Sequence, residues 1–142
     1  MQKIVINLIN IQLENQPISR VEYAKSLRLI IDDRLSWSNH ISELSRKISS
    51  AIVALKRISS LISQSTAVQI YNTLIQPHVD YCAPVWDGLN YYLGEKLQKL
   101  QNRAAGVVLQ GNCEVNSSLL FETLKWGQLL LRERKHKAIM MF

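Results

Sequence analysis

Two adjacent carboxylates, Asp32-Asp33, are the side chains of this sequence with the most chemistry in them. An acid pair presented at the end of a strand is one way to hold the two divalent ions of a metal-dependent phosphoryl-transfer site. Such a site also draws a third carboxylate from another strand, and the nearby acids are Glu14 and Glu22. The pair leads through Arg34-Leu35-Ser36-Trp37 straight into a helical pattern, so it is read as a turn, with no metal expected. His40, His78 and His136 are scattered. No serine stands in a strand-turn-helix elbow and no lysine follows a glycine-rich loop, so acyl transfer and nucleotide hydrolysis have no visible site. Cys82 and Cys113 lack the spacing of a zinc site and are read as buried thiols in a reduced compartment. Trp37, Trp86 and Trp126 each fall near a helix boundary, where core packing is preferred over stacking on bases. No catalytic residue is expected.

The elements that must position these residues fit one domain. The chain has 142 residues, 47% of them hydrophobic and 20% charged, which is enough to bury a core and rules out general disorder. The net charge is +6, and the excess lies in residues 36–62, 91–109 and 127–142, all with helical periodicity. Basic helical faces suit a polyanion or an acidic surface; the alternative is a merely solvated exterior. The longest apolar runs, Ala51 to Leu55 and Ala138 to Phe142, fall far short of the about 20 residues a membrane span needs. With no signal-peptide core at the front, an intracellular protein of nucleus or cytoplasm is expected, neither secreted nor in a membrane.

Residues 4–31 carry the period-two pattern of strands. Glu14-Asn15-Gln16-Pro17 predicts a hairpin turn, with a returning strand through Ile18, Val21 and Tyr23. Leu27, Leu29, Ile30 and Ile31 predict a further strand, closed by Asp32-Asp33. From Ser38, a predicted N-cap, the period becomes 3.6: Ile41, Leu44, Ile48, Ala51, Ile52, Leu55, Ile58 and Ile62 form one apolar stripe. A second helix is predicted from Thr66, whose spacing to Gln69 is that of a capping box, with Val68, Tyr71, Leu74 and Ile75 as its face and an end or kink at Pro77. His78 to Trp86 could continue it. A third is predicted over residues 90–109, with Leu93, Leu97, Leu100, Ala104, Val107 and Val108 inside, Lys96, Lys99 and Arg103 outside, and Gly111 as its stop. A short helix from Ser117 or Ser118 through Leu124 and one from Gln128 to Phe142 complete the pattern. Strands at the front without their sheet, and an uncapped apolar end, read as a fragment of a larger protein. The fold class expected is α+β, mainly α.

Three segments carry a resemblance. Tyr23 to Ile41, with Lys25, Leu27, Ile31-Asp32, Leu35, Trp37 and His40-Ile41, resembles the "K-x-L-G-x-x-I-D-x-x-L-x-W-x-x-H-I" segment of jockey-like non-LTR retrotransposon reverse transcriptases. Ile70 to Trp86, with Tyr71, Leu74-Ile75, Pro77-His78, Tyr81-Cys82 and Val85, resembles their "L-Y-x-x-L-I-x-P-H-x-x-Y-C-x-x-V-W" block, and Leu97 to Ala105 their "L-Q-x-L-Q-N-R-A". The three fall in the family's order.

The resemblance implies the end of a polymerase palm with its primer grip over residues 1–36 and a helical thumb over 37–142. The family's catalytic Asp-Asp block lies upstream of this stretch, so magnesium is expected only in a full-length parent enzyme and no cofactor for this chain. The implied partners are an RNA/DNA template-primer duplex and the palm and fingers of the parent. Tyr23, Lys25 and Leu27 are the primer-grip-like residues; Arg46, Lys47, Lys56, Arg57, Lys96, Lys99 and Arg103 are the candidates for non-sequence-specific duplex contact. The rival class is a small basic interaction module or inactive relic with no nucleic-acid role. Two departures stand out: Arg28 replaces the family's glycine, and Gly106 stands where the family is often basic.

Overall fold

The computed structural model describes residues 11–85 and 89–110, together with Phe121, Glu122, Leu124 and Trp126. The expected strand over residues 4–10, Trp86, Gly111, Cys113, the Ser117 or Ser118 cap and the helix from Gln128, with His136, lie outside the described residues.

Two short antiparallel ribbons come first. β1 (Gln12–Leu13) pairs with β2 (Gln16–Pro17), and β3 (Tyr23–Ser26) pairs with β4 (Leu29–Asp32). Each turns on two residues with positive φ, Glu14 and Asn15 in one and Leu27 and Arg28 in the other, as a type I′ hairpin requires. The first turn is therefore tighter than the predicted four residues, and Gln16 and Pro17 already pair with the partner strand. Leu27 belongs to the second turn rather than to a strand, and Val21 lies between the ribbons. Leu29 is the buried residue that anchors β4 to the helices.

α1 (Ser38–Ile58) follows from its apolar stripe: Ile41, Leu44, Ile48, Ile52 and Leu55 are buried. Ile58, at the end of the stripe, is 39% exposed because the helix tightens there into a 3-10 turn, Ser59–Leu61. The cap differs from the prediction. Trp37, in the left-handed region, occupies the position before the first turn, and Ser38 is already helical. The carboxylate of Asp32 binds the chain just ahead of the helix, accepting from the amides of Arg34 (3.1 Å), Ser36 (2.9 Å) and Trp37 (2.9 Å) and from the Ser36 hydroxyl (3.1 Å).

The second helix begins three residues earlier than predicted. Ser63 caps α2 (Gln64–Ile70) by accepting from the Thr66 amide, so Thr66 is inside the helix and not its cap. Pro77 neither ends nor breaks it. A π-helical turn, Tyr71–Ile75, joins α2 to α3 (Gln76–Asp80), and the wider turn accommodates a residue without a backbone donor. The inserted turn also shifts the register, which leaves Leu74 59% exposed while Tyr71 and Ile75 are buried. Past Asp80 the chain turns and makes a 3-10 turn, Ala83–Val85, so the helix does not run on toward Trp86.

α4 (Tyr91–Val108) is capped by the Asn90 side chain, which accepts from the Leu93 amide. Leu93, Leu97, Ala104 and Val108 are buried as predicted, and Leu100 and Val107 are half-buried. At its end Gln110, not a glycine, adopts the left-handed conformation, and its side-chain amide donates to the carbonyls of Ser59 and Ile62. That joins the C-terminal ends of α1 and α4, so the two run in the same direction. The segment α2–α3 returns between them, from Ser63 beside the end of α1 to Pro77, His78 and Tyr81 beside its start. One core holds α1, the α2–α3 segment, α4 and Leu29. Trp126 closes it by stacking on Tyr71, with ring centroids 3.9 Å apart. The architecture is α+β, mainly α. No helix among the described residues is long and apolar enough to cross a membrane.

Candidate nucleic-acid interface

The β3–β4 hairpin lies against the start of α1 by its second strand. Buried Leu29 and the Ile30 amide, 3.5 Å from Nδ1 of His40, face the helix. β3 is left outward, and all four of its residues are exposed. Tyr23 and Lys25, two residues apart, share a face of the ribbon. Leu27, at the tip, is 79% exposed. The Tyr81 hydroxyl donates to the Leu27 carbonyl at 2.9 Å and fixes the tip to the end of α3.

Beneath the tip is a cleft of about 230 Å3, lined by Arg28 of the hairpin, His40, Glu43, Leu44 and Lys47 of α1, and Pro77, His78 and Tyr81 at the end of α3. Lys47 Nζ is 2.7 Å from Glu43. Hydrogen bonding from Lys47, followed by its charge and those of Lys25 and Arg46, holds the Glu43 carboxyl below the usual range. Burial pushes His40 down, which keeps the ring neutral and suits the acceptor role of its Nδ1 toward Ile30. Trp37 meets His40 edge to face, with centroids 6.3 Å apart.

The cations of α1 and α4 fall on more than one face. At about 100° per residue, Arg46 and Arg57 lie within about 20° of each other and directly opposite the buried stripe of α1. Lys47 and Lys56 flank that line on opposite sides, and Lys47 is the one that reaches the cleft. On α4, Lys96, Lys99 and Arg103 fall within about 60° of one another, a single strip; Lys96 is half-buried, the other two exposed. Lys99 is 3.3 Å from Glu95, and Lys47 from Glu43 as given. Among the described residues Arg46, Lys56, Arg57, Lys96 and Arg103 make no ion pair, so their charges are available to a polyanion.

Asp32 and Asp33 act as a turn. The amide and hydroxyl donors described above, the Ser36 amide first, hold the Asp32 carboxyl below its ordinary value. Asp33 is 3.3 Å from an Arg20 nitrogen. No group of three or more histidines, cysteines or acids is gathered among the described residues.

Sequence reading passed over two features. Tyr91 and Tyr92, adjacent at the start of α4, are 80% and 74% exposed, and the Tyr91 hydroxyl donates to Glu95 at 3.0 Å. That bond raises the Tyr91 phenol and lowers Glu95. An apolar-looking pair just after a cap should have been read as lying outside the stripe that begins at Leu93. The second is the cleft itself, whose residues come from three separated segments and carry no spacing signal.

Over 131 residues, 90% of its length, the chain is 22% identical to "Probable RNA-directed DNA polymerase from transposon X-element" of Drosophila melanogaster, of which the match covers 14%. No family model and no solved structure matches the chain. The match agrees with the three sequence blocks: the chain is similar, over nearly all of its length, to one part of a non-LTR transposon reverse transcriptase.

Proposed function

We propose that this chain, derived from a non-LTR reverse transcriptase, holds a template-primer duplex without doing chemistry on it. Residues 1–36 correspond in this reading to the last palm hairpin and 37–142 to a thumb. The observation that carries it is the set of exposed or half-buried cations on α1 and α4 that make no ion pair among the described residues, beside a hairpin whose outer strand is uncovered. A helix bundle laid against an A-like hybrid meets phosphates and 2′-hydroxyls across a wide minor groove, and this needs cations but no base reading. Tyr23, Lys25 and Leu27 would touch the primer strand, and Tyr91 and Tyr92 offer faces for stacking. Magnesium would enter only with the catalytic block of a parent enzyme, and the place of action would be the nucleus or cytoplasm.

Salt dependence tests the reading. Affinity for an RNA–DNA hybrid should fall steeply with salt, and each lost phosphate contact should lower the slope by roughly 0.7 to 0.9. Replacing Lys56, Arg57, Lys96 and Arg103 together with Gln should flatten it by about three units, with little change in stability. An unchanged affinity and slope would favour the interaction module instead.

A further inference from the structure

Arg28 sits at φ 64°, a backbone that favours glycine. A long cation at a strained position invites a functional account. Its side chain lines the cleft, and Lys47 of α1 and His78 of α3 line it too. Three elements thus bring three hydrogen-bond donors of basic character to one concavity. Glu43 is the carboxylate of the lining and is engaged by Lys47 at 2.7 Å. Among the described residues, neither Arg28 nor His78 is in an ion pair. The bond from Tyr81 to the Leu27 carbonyl fixes the backbone of the hairpin tip, at which Arg28 stands, over the cleft.

We propose that Arg28, Lys47 and His78 form a clamp for a phosphate group of a polynucleotide strand. The clamp rests on the duplex-holding reading and adds to it a defined grip at the hairpin end, distinct from the outer helical faces. The guanidinium fork matches two phosphate oxygens, the ammonium adds a point charge, and the imidazole contributes an N–H donor. Phosphate is smaller than the cleft, which leaves room for the attached sugar.

The test uses the full chain with labelled arginine and histidine. Inorganic phosphate is titrated against chloride at matched ionic strength while the Arg28 and His78 resonances are followed. Saturable shifts at both are expected, weakened about fivefold to tenfold by Arg28→Gly and by His78→Gln. Arg34→Gln, exposed and outside the cleft, should leave the phosphate titration unchanged. With an RNA–DNA hybrid as the probe, Arg28→Gly should lower the salt slope by about one unit. Glycine suits the backbone at position 28, so loss of binding cannot be put down to misfolding. Phosphate shifts indifferent to Arg28 and His78 overturn the clamp, and if hybrid binding persists the duplex reading stands without it. A saturable phosphate site in a chain that binds no hybrid overturns the polynucleotide as the ligand and defeats the duplex reading as well.

Discussion

Replacing Arg28 with glycine should make the protein more stable. Both turn residues of the β3–β4 hairpin have positive φ, 47° at Leu27 and 64° at Arg28. A residue with a Cβ costs about 1–2 kcal/mol in that region. Glycine relieves this but adds freedom to the unfolded chain, which returns about 0.4–1 kcal/mol. The net gain is about 0.5–1 kcal/mol, provided that little packing is lost, and Arg28 is exposed. With a urea m-value of about 1.5–2 kcal/mol/M for a chain of this size, the midpoint should rise by about 0.3–0.6 M at unchanged m. Local opening offers a second measurement, since the amides nearest the turn, at Ser26 and Leu29, should gain about twofold to fivefold in hydrogen-exchange protection. A lowered midpoint would mean that Arg28 makes contacts in the cleft stronger than the strain it carries. An unchanged midpoint and unchanged protection would mean that the turn is not strained at all. The stability gain and the loss of phosphate binding have opposite signs, so no single structural defect can produce both.

Gly106 lies within α4, and a Cβ built on it meets nothing within 4 Å. Gly106→Ala should therefore raise stability by about 0.5–1 kcal/mol in thermal or urea unfolding, and a loss would show that the helix there is not as described. Asp32 is held below its ordinary pKa in the folded chain, chiefly by the Ser36 amide. Its contribution is thus complete above the unfolded value and fades as pH falls through the folded one, so stability should decline in the acid range below the unfolded value. Asp32→Asn should flatten that decline and lower stability near neutral pH; an acid limb identical to the parent's would remove Asp32 from the account.

The helices were legible because burial imposes a period. Ile41, Leu44, Ile48, Ile52 and Leu55 had to share a face, and so did Leu93, Leu97, Ala104 and Val108. What sequence reading missed was set by contacts distant along the chain or by backbone geometry without a residue signature. Ser38 resembles a cap, but Asp32 lies close enough to bind the amides ahead of α1 and lets Trp37 take a left-handed conformation. Pro77 carries a strong stop signal, yet the π turn before it spares the helix and turns Leu74 to solvent. Gln110 takes the left-handed place expected of glycine because its side chain ties the ends of α1 and α4 together. The seven candidate cations were found by type and period, but that Lys47 is the one to reach the cleft follows from which flank of α1 meets α3.

The positions that match the resembled blocks are mostly joints. Asp32 ends the hairpin and holds the approach to α1, His40 meets the Ile30 amide, and Tyr81 ties α3 to the hairpin tip. Gln98 bonds Gln101 and Asn102 along α4. Such residues keep a hairpin seated on a helix bundle whatever the bundle binds, so the likeness speaks first for the scaffold. Arg28 is different. It departs from the pattern, it stands at an unfavourable φ, and it lines a cleft that two further basic side chains reach. The binding particular to this chain is therefore best sought at the hairpin tip, where a basic side chain stands at a positive φ over a cleft.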